Sequence, residues 1–156
     1  MRKVYLDSCI AIYLVEEHPG YCASIEHALA QLNGIVCYSP LTELECLVLP
    51  LRLKRNDLLD KFRRFFSYNL KCDMPDSVYR EAAQIRAEFG IKTPDALHLA
   101  TARQHGCTEL WTNDDRLADV ATRLAITMVV TRGSMNHPDQ VEVAKHTATP
   151  RGEWKT

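Results

Sequence analysis

The chain has 156 residues, of which 46% are hydrophobic and 25% charged, with a formal net charge of −1. That is the size and balance of one globular domain with a core, which excludes a disordered chain and a polyanion binder coated in lysine. No apolar run approaches the roughly 18 residues of a membrane span, and Asp7 interrupts the first apolar stretch too early for a secretion signal, so a cytoplasmic protein is expected.

Short β-like runs alternate with helical patterns along the chain. Lys3 to Leu6 reads as a first strand, followed by a helix from Ser8 to about Val15. Pro19-Gly20 punctuates, and a helix over Tyr21 to Leu32 ends at Asn33-Gly34. Ile35 to Tyr38 is a second strand. Ser39-Pro40 then opens a helix, an N-cap followed by proline at the first helical position, which runs to about Val48 with Pro50 near its end. Leu53 to Phe66 is helical and basic on one side, through Lys54, Arg55, Lys61, Arg63 and Arg64.

A short strand is expected near Leu70 to Cys72, and a helix over Asp76 to Phe89 stopped by Gly90. Thr93-Pro94 caps a helix from Asp95 to His105, closed by Gly106. Glu109 to Trp111, Asp115 to Leu124 and Ile126 to Val130 complete the pattern as strand, helix and strand. Strands separated by helices imply an α/β fold, with a central, mainly parallel β-sheet and helices on both faces. The ordered domain is expected over residues 1–131. From about Arg132 the chain turns polar, and residues 132–156 read as a loose tail or an arm ordered by a partner.

The six cysteines (9, 22, 37, 46, 72 and 107) include no Cys-x-x-Cys pair, and several lie in apolar stretches. They read as small buried hydrophobes in a reducing compartment, without a zinc set or a disulfide framework. The six histidines are dispersed and form no ligand set. His98, one turn after Asp95, reads as a packing histidine with its polar atoms satisfied.

In a parallel sheet, function collects beyond the carboxyl ends of the strands. Asp7 ends the first strand, Asp95 stands in the first turn of its helix, and Asp114 follows the strand Leu110-Trp111-Thr112. Any one of these acids could simply cap a helix. Three at one sheet edge repel each other, and a hard divalent cation with oxygen ligands, Mg2+ or Mn2+, relieves that cost. For a fourth acid, helical geometry separates two candidates. Leu41, Leu44, Val48 and Leu51 form one stripe, expected to be buried; Glu45 borders it and Glu43 points almost the opposite way. Glu45 is therefore the acid expected in the cleft. The helix after Asp95 is apolar or small nearly all the way round, so a charge at its start needs a partner or a metal.

Four segments together resemble the PIN-domain nucleases and, within them, the VapC-type toxins of toxin–antitoxin pairs. They are Val4-Tyr5-Leu6-Asp7-Ser8, Ser39-Pro40-Leu41-Thr42-Glu43-Leu44-Glu45, Thr93-Pro94-Asp95-Ala96-Leu97-His98-Leu99-Ala100-Thr101-Ala102 and Leu110-Trp111-Thr112-Asn113-Asp114. Their order and spacing follow the family over roughly residues 1 to 131. The resemblance implies a three-layer α/β/α fold and an Mg2+- or Mn2+-dependent endoribonuclease. Its acidic quartet falls on Asp7, Glu45, Asp95 and Asp114, with Asp7, Asp95 and Asp114 at the metal and Glu45 as outer ligand or water orienter. The family's small hydroxyl residue falls on Thr112, with Ser8 a second candidate; Asp115 is a neighbour without an assigned role. The partners implied are an RNA substrate, a cognate antitoxin and a second copy of the chain, with no membrane. The alternatives are a catalytically silent PIN-like module that binds RNA or protein, a free-standing PIN nuclease, and a phosphatase. The last lacks its usual Asp-x-Asp pair, because Ser8 and Cys9 follow Asp7.

Overall fold

The structure is a computed structural model and describes residues 1–130. Its elements in chain order are β1 (Arg2–Leu6), α1 (Ser8–Val15), α2 (Cys22–Ala30), β2 (Gly34–Tyr38), α3 (Pro40–Arg52) and α4 (Asn56–Ser67). They continue as β3 (Leu70–Lys71), α5 (Asp76–Phe89), α6 (Thr93–Gln104), β4 (Glu109–Thr112), α7 (Asp115–Arg123) and β5 (Thr127–Val130). The strands form one sheet in the order β3-β2-β1-β4-β5, and every neighbouring pair is parallel. The expected α/β class and sandwich of helices around a parallel sheet are thus observed. The expected tail, 132–156, lies outside the described residues.

Strand alternation sorts the core into two faces. Val4, Leu6 and Trp111 turn one way and pack with Ile10 and Ile25 from α1 and α2. Tyr5, Cys37 and Leu110, which are register partners, turn the other way toward Ala82 and Ile85 of α5, Leu99 of α6 and Leu117 of α7. A third cluster, Tyr38, Cys46, Phe62 and Phe66 with Ala11, fastens α3 and α4 beside α1. Each large side chain buried this way contributes about 1.5–3 kcal/mol.

Local chemistry explains the element ends. The Ser39 side chain accepts from the Thr42 backbone N–H and forms a capping box with it, with Pro40 at the first helical position. Gly90 stops α5 at φ 64°, where a side chain would be strained. At Gly34 a Cβ would lie 2.1 Å from the Arg2 carbonyl oxygen, so only glycine lets β2 start against β1.

Most boundaries shift by one or two residues from the sequence reading, and those of α3, α4 and α6 bear on the site. Helix α3 continues through Pro50 to Arg52, because proline near a helix end removes one backbone bond while later turns still close, as in the Leu53 N–H to Leu49 O bond of 2.9 Å. Helix α4 starts at Asn56 rather than Leu53. Thr93 is the first residue of α6 rather than its cap; the cap position is Lys92, and its side chain makes no capping bond.

The larger correction concerns which side of α3 is buried. Leu44, Val48 and Leu51 are 59%, 44% and 58% exposed, while Thr42, Cys46 and Pro50 face the interior. The reason is polar satisfaction and close approach. The Thr42 hydroxyl donates to the Leu6 carbonyl and accepts from the Ser39 N–H, and the small Cys46 places its thiol 3.8 Å from the Ser8 carbonyl. A leucine in either position would leave those groups unpaired and push α3 away from α1.

Candidate active site

Asp7 is the residue after β1, so parallel strand direction delivers it to the carboxyl edge of the sheet. It is only 8% exposed. One carboxylate oxygen accepts from the Ser8 N–H at 2.7 Å, the other from the Thr112 hydroxyl at 2.6 Å, and the Cys9 thiol lies 3.5 Å from that second oxygen. Thr112, fully buried at the end of β4, also accepts the Asp114 N–H at 3.1 Å. One hydroxyl therefore ties the Asp7 carboxylate to the turn that carries Asp114.

Asp114 is the N-cap of α7; its Oδ1 accepts from the N–H groups of Arg116 and Leu117 at 2.9 and 3.0 Å. The capping role is real, and it does not remove the charge from the edge. Asp95, the third residue of α6, is half-buried. Burial pushes its carboxyl pKa up, and the negative charges of Asp114 and Asp7 push it further, against a partial offset from His98 and Lys92. Asp95 therefore lies within electrostatic reach of both other aspartates.

Glu45 enters from α3 and meets His98. His98 is 1% exposed, its Nε2 lies 2.5 Å from the Glu45 Oε1 and 3.6 Å from the Asp7 Oδ1. Asp7, Glu45 and His98 offer ligand atoms that all lie within 4.8 Å of one another. A carboxylate only accepts, so the His98 Nε2 carries the proton shared with Glu45. The other ring nitrogen, Nδ1, is 2.8 Å from the Tyr5 hydroxyl, which is itself 2.6 Å from the Ser39 hydroxyl. Burial pushes the Tyr5 pKa upward, so Tyr5 stays a neutral phenol at this junction. The chain Ser39–Tyr5–His98–Glu45 fixes the imidazole and, through it, the glutamate.

The family model of the PIN domain matches residues 4–123. The chain belongs to the PIN-domain family. The fold of this PIN domain is similar to that of VapBC2 from Rickettsia felis, solved on a promoter DNA fragment, with a TM-score of 0.62 and 21% identity over 72% of this chain and 87% of that one. It is also similar to VapC20 of Mycobacterium tuberculosis, a toxin that cleaves the sarcin–ricin loop (TM-score 0.63, 13% identity, 74% and 93% covered). The DNA-bound VapBC of Salmonella typhimurium gives a TM-score of 0.63 at 22% identity, over 76% of this chain and 92% of that one. No curated protein matches the sequence.

All four acids expected from the sequence of this PIN domain stand at or toward one edge of the sheet. The tightest grouping is Asp7 with Glu45, and it includes His98; Asp95 joins because, beyond its burial, the charges of Asp114 and Asp7 act on it. His98, expected to pack with its polar atoms satisfied, has partners at both nitrogens, and one of those partners is Glu45. Its position three residues after Asp95, on the same helical side, is the available sequence signal. Tyr5 has none beyond an inward-facing place in β1. Glu43 points away and pairs with Lys71 at 2.7 Å. The basic helix α4 is partly neutralised at its own surface: Arg55 pairs with Asp57 at 2.7 Å, Arg63 with Asp60 at 3.1 Å, and Lys61 lies 3.8 Å from Glu17.

Proposed function

We propose that this PIN domain is a metal-dependent endoribonuclease that hydrolyses RNA phosphodiester bonds, acting as the toxin of a toxin–antitoxin pair. The observation that carries the reading is the junction of Asp7, Glu45 and His98 at the carboxyl edge, beside an Asp95 whose pKa is raised by burial and then by the charges of Asp114 and Asp7. Like charges held this close are costly without a counter-ion, and with the His98 nitrogens engaged by Glu45 and Tyr5 the carboxylates leave oxygen donors, which suit Mg2+ or Mn2+. Asp7, Asp95 and Asp114 would hold the ion, with Glu45 beside it. When bound, the ion neutralises approaching phosphate and lowers the pKa of a bound water.

The chain's own residues supply orientation. Thr112 pins one oxygen of Asp7, the Ser8 N–H pins the other, and His98 holds Glu45 in place. Residues without an ion would repel a phosphate, so substrate approach and metal binding are linked. The similar folds of the two VapBC proteins support an antitoxin partner, and the sarcin–ricin loop cleaved by VapC20 supports RNA as substrate. The exposed apolar side of α3, Leu44, Val48 and Leu51, supports a homodimer, since covering a leucine or valine contributes about 1.5–3 kcal/mol.

Incubation of the purified chain with RNA tests the activity directly. Cleavage is expected with Mg2+ or Mn2+ and none with excess EDTA. Cleavage indifferent to EDTA, or hydrolysis of small phosphomonoesters without RNA cleavage, overturns the reading. RNA retention without cleavage at saturating metal assigns a silent binding module instead.

A further inference from the structure

The sequence reading treats the cysteines as separate small hydrophobes, but the fold gathers three of them. Cys37 is in β2, Cys72 directly follows β3, and Cys107 directly follows the turn after α6. Their sulfur atoms all lie within 4.8 Å of one another, and the residues are 0%, 1% and 7% exposed. None is in a disulfide. No sequence spacing announces this, because the residues stand 35 apart along the chain.

We propose that Cys37, Cys72 and Cys107 form a three-thiolate site for a soft d10 metal ion such as Zn2+ or Cd2+, on a set of residues separate from the acidic edge. An ion about 2.3 Å from each sulfur requires the sulfurs to stand about 3.8–4.0 Å apart. Sulfurs already within 4.8 Å reach that spacing by side-chain movements of less than about 1 Å. Thiolate donors select soft ions, whereas Mg2+ and Mn2+ prefer the oxygen set at Asp7.

Three thiolates around a divalent ion leave one net negative charge, which a purely apolar core would not tolerate. The surroundings are not purely apolar. Lys3, on the same side of β1 as Tyr5, donates to the His105 carbonyl at 2.6 Å, which places an ammonium group beside the turn that leads to Cys107. The His105 ring itself meets Asp73 at 3.1 Å, and its side chain is 25% exposed.

The test uses the full reduced chain and Cd2+ alone. A sulfur-to-cadmium charge-transfer absorption is expected, saturating at one ion per chain, displaced by Zn2+ and unchanged by excess Mg2+. Cys72→Ala and Cys107→Ala are each expected to weaken Cd2+ binding at least tenfold, and Cys22→Ala to leave it unchanged, with circular dichroism confirming that each is folded. If both alanine variants unfold, alkylation of the unaltered chain decides: Zn2+ should protect Cys37, Cys72 and Cys107, mapped by mass spectrometry, and leave Cys22 reactive. Absence of the absorption in the folded chain, its retention in both folded alanine variants, or alkylation of the three thiols unaffected by Zn2+ overturns the site.

Discussion

Asp7→Asn is expected to lower divalent-metal-dependent RNA cleavage by at least about a hundredfold, which corresponds to roughly 2.7 kcal/mol of barrier. The fold should survive the change. An asparagine oxygen can still accept the Ser8 N–H, and its NH2 group can donate to the Thr112 hydroxyl, which now accepts, so the two shortest contacts of the original carboxylate keep a partner and only the long Cys9 thiol contact is given up. What disappears is one negative charge at a position that is 8% exposed. Cleavage by the folded variant at the original rate would refute the metal assignment.

Asp95→Asn should reduce cleavage in the same direction, with a stability signature of its own. Burial and the charges of Asp114 and Asp7 raise the Asp95 pKa. A raised carboxyl pKa means the folded chain holds this proton more tightly than the unfolded one. Its contribution is fully present below the ordinary carboxylate range and is lost as pH rises through the raised value. Metal-free protein carrying Asp95→Asn is therefore expected to be as stable as the unaltered chain near neutral pH or slightly more so, by no more than about 1 kcal/mol for a half-exposed group. The same variant should lose the stabilisation that Mg2+ or Mn2+ adds. Melting curves with and without metal, at acidic and neutral pH, check both signs. Unchanged metal stabilisation would remove Asp95 from the site.

The second large effect separates two glutamates two residues apart. Glu45→Gln is expected to lose about tenfold to a hundredfold in cleavage, because the charge goes while the amide oxygen still accepts from the His98 Nε2. Glu43→Gln gives up only an exposed pair with Lys71, worth about 0–1 kcal/mol, and should leave cleavage within about twofold. Equal losses in single-turnover assays would show that α3 does not present Glu45 to the reacting phosphate.

The contrast between these glutamates shows where sequence reasoning reaches its limit. A place at the border of an apolar stripe singles out Glu45 over Glu43, and the structure brings Glu45 beside Asp7. Yet the stripe itself is exposed, and Glu45 gets there as a neighbour, about 60° round the helix, of the buried Thr42. Periodicity finds the apolar side of a helix; it does not say whether that side meets this domain's core or a second molecule. The decision lies with the Thr42 and Cys46 contacts to β1 and α1, which join residues more than thirty positions apart.

The amino-acid sequence by itself determined the alternation of strands and helices, the parallel sheet, and the placing of Asp7, Asp95 and Asp114 at strand ends and helix starts. Local propensity, caps and strand direction suffice for that. Tertiary structure alone decided that His98 holds Glu45, that Tyr5 and Thr112 brace the acids, and that three cysteines 35 residues apart share one pocket of the core. Those partners are adjacent only across the sheet and between layers, so no local pattern carries them.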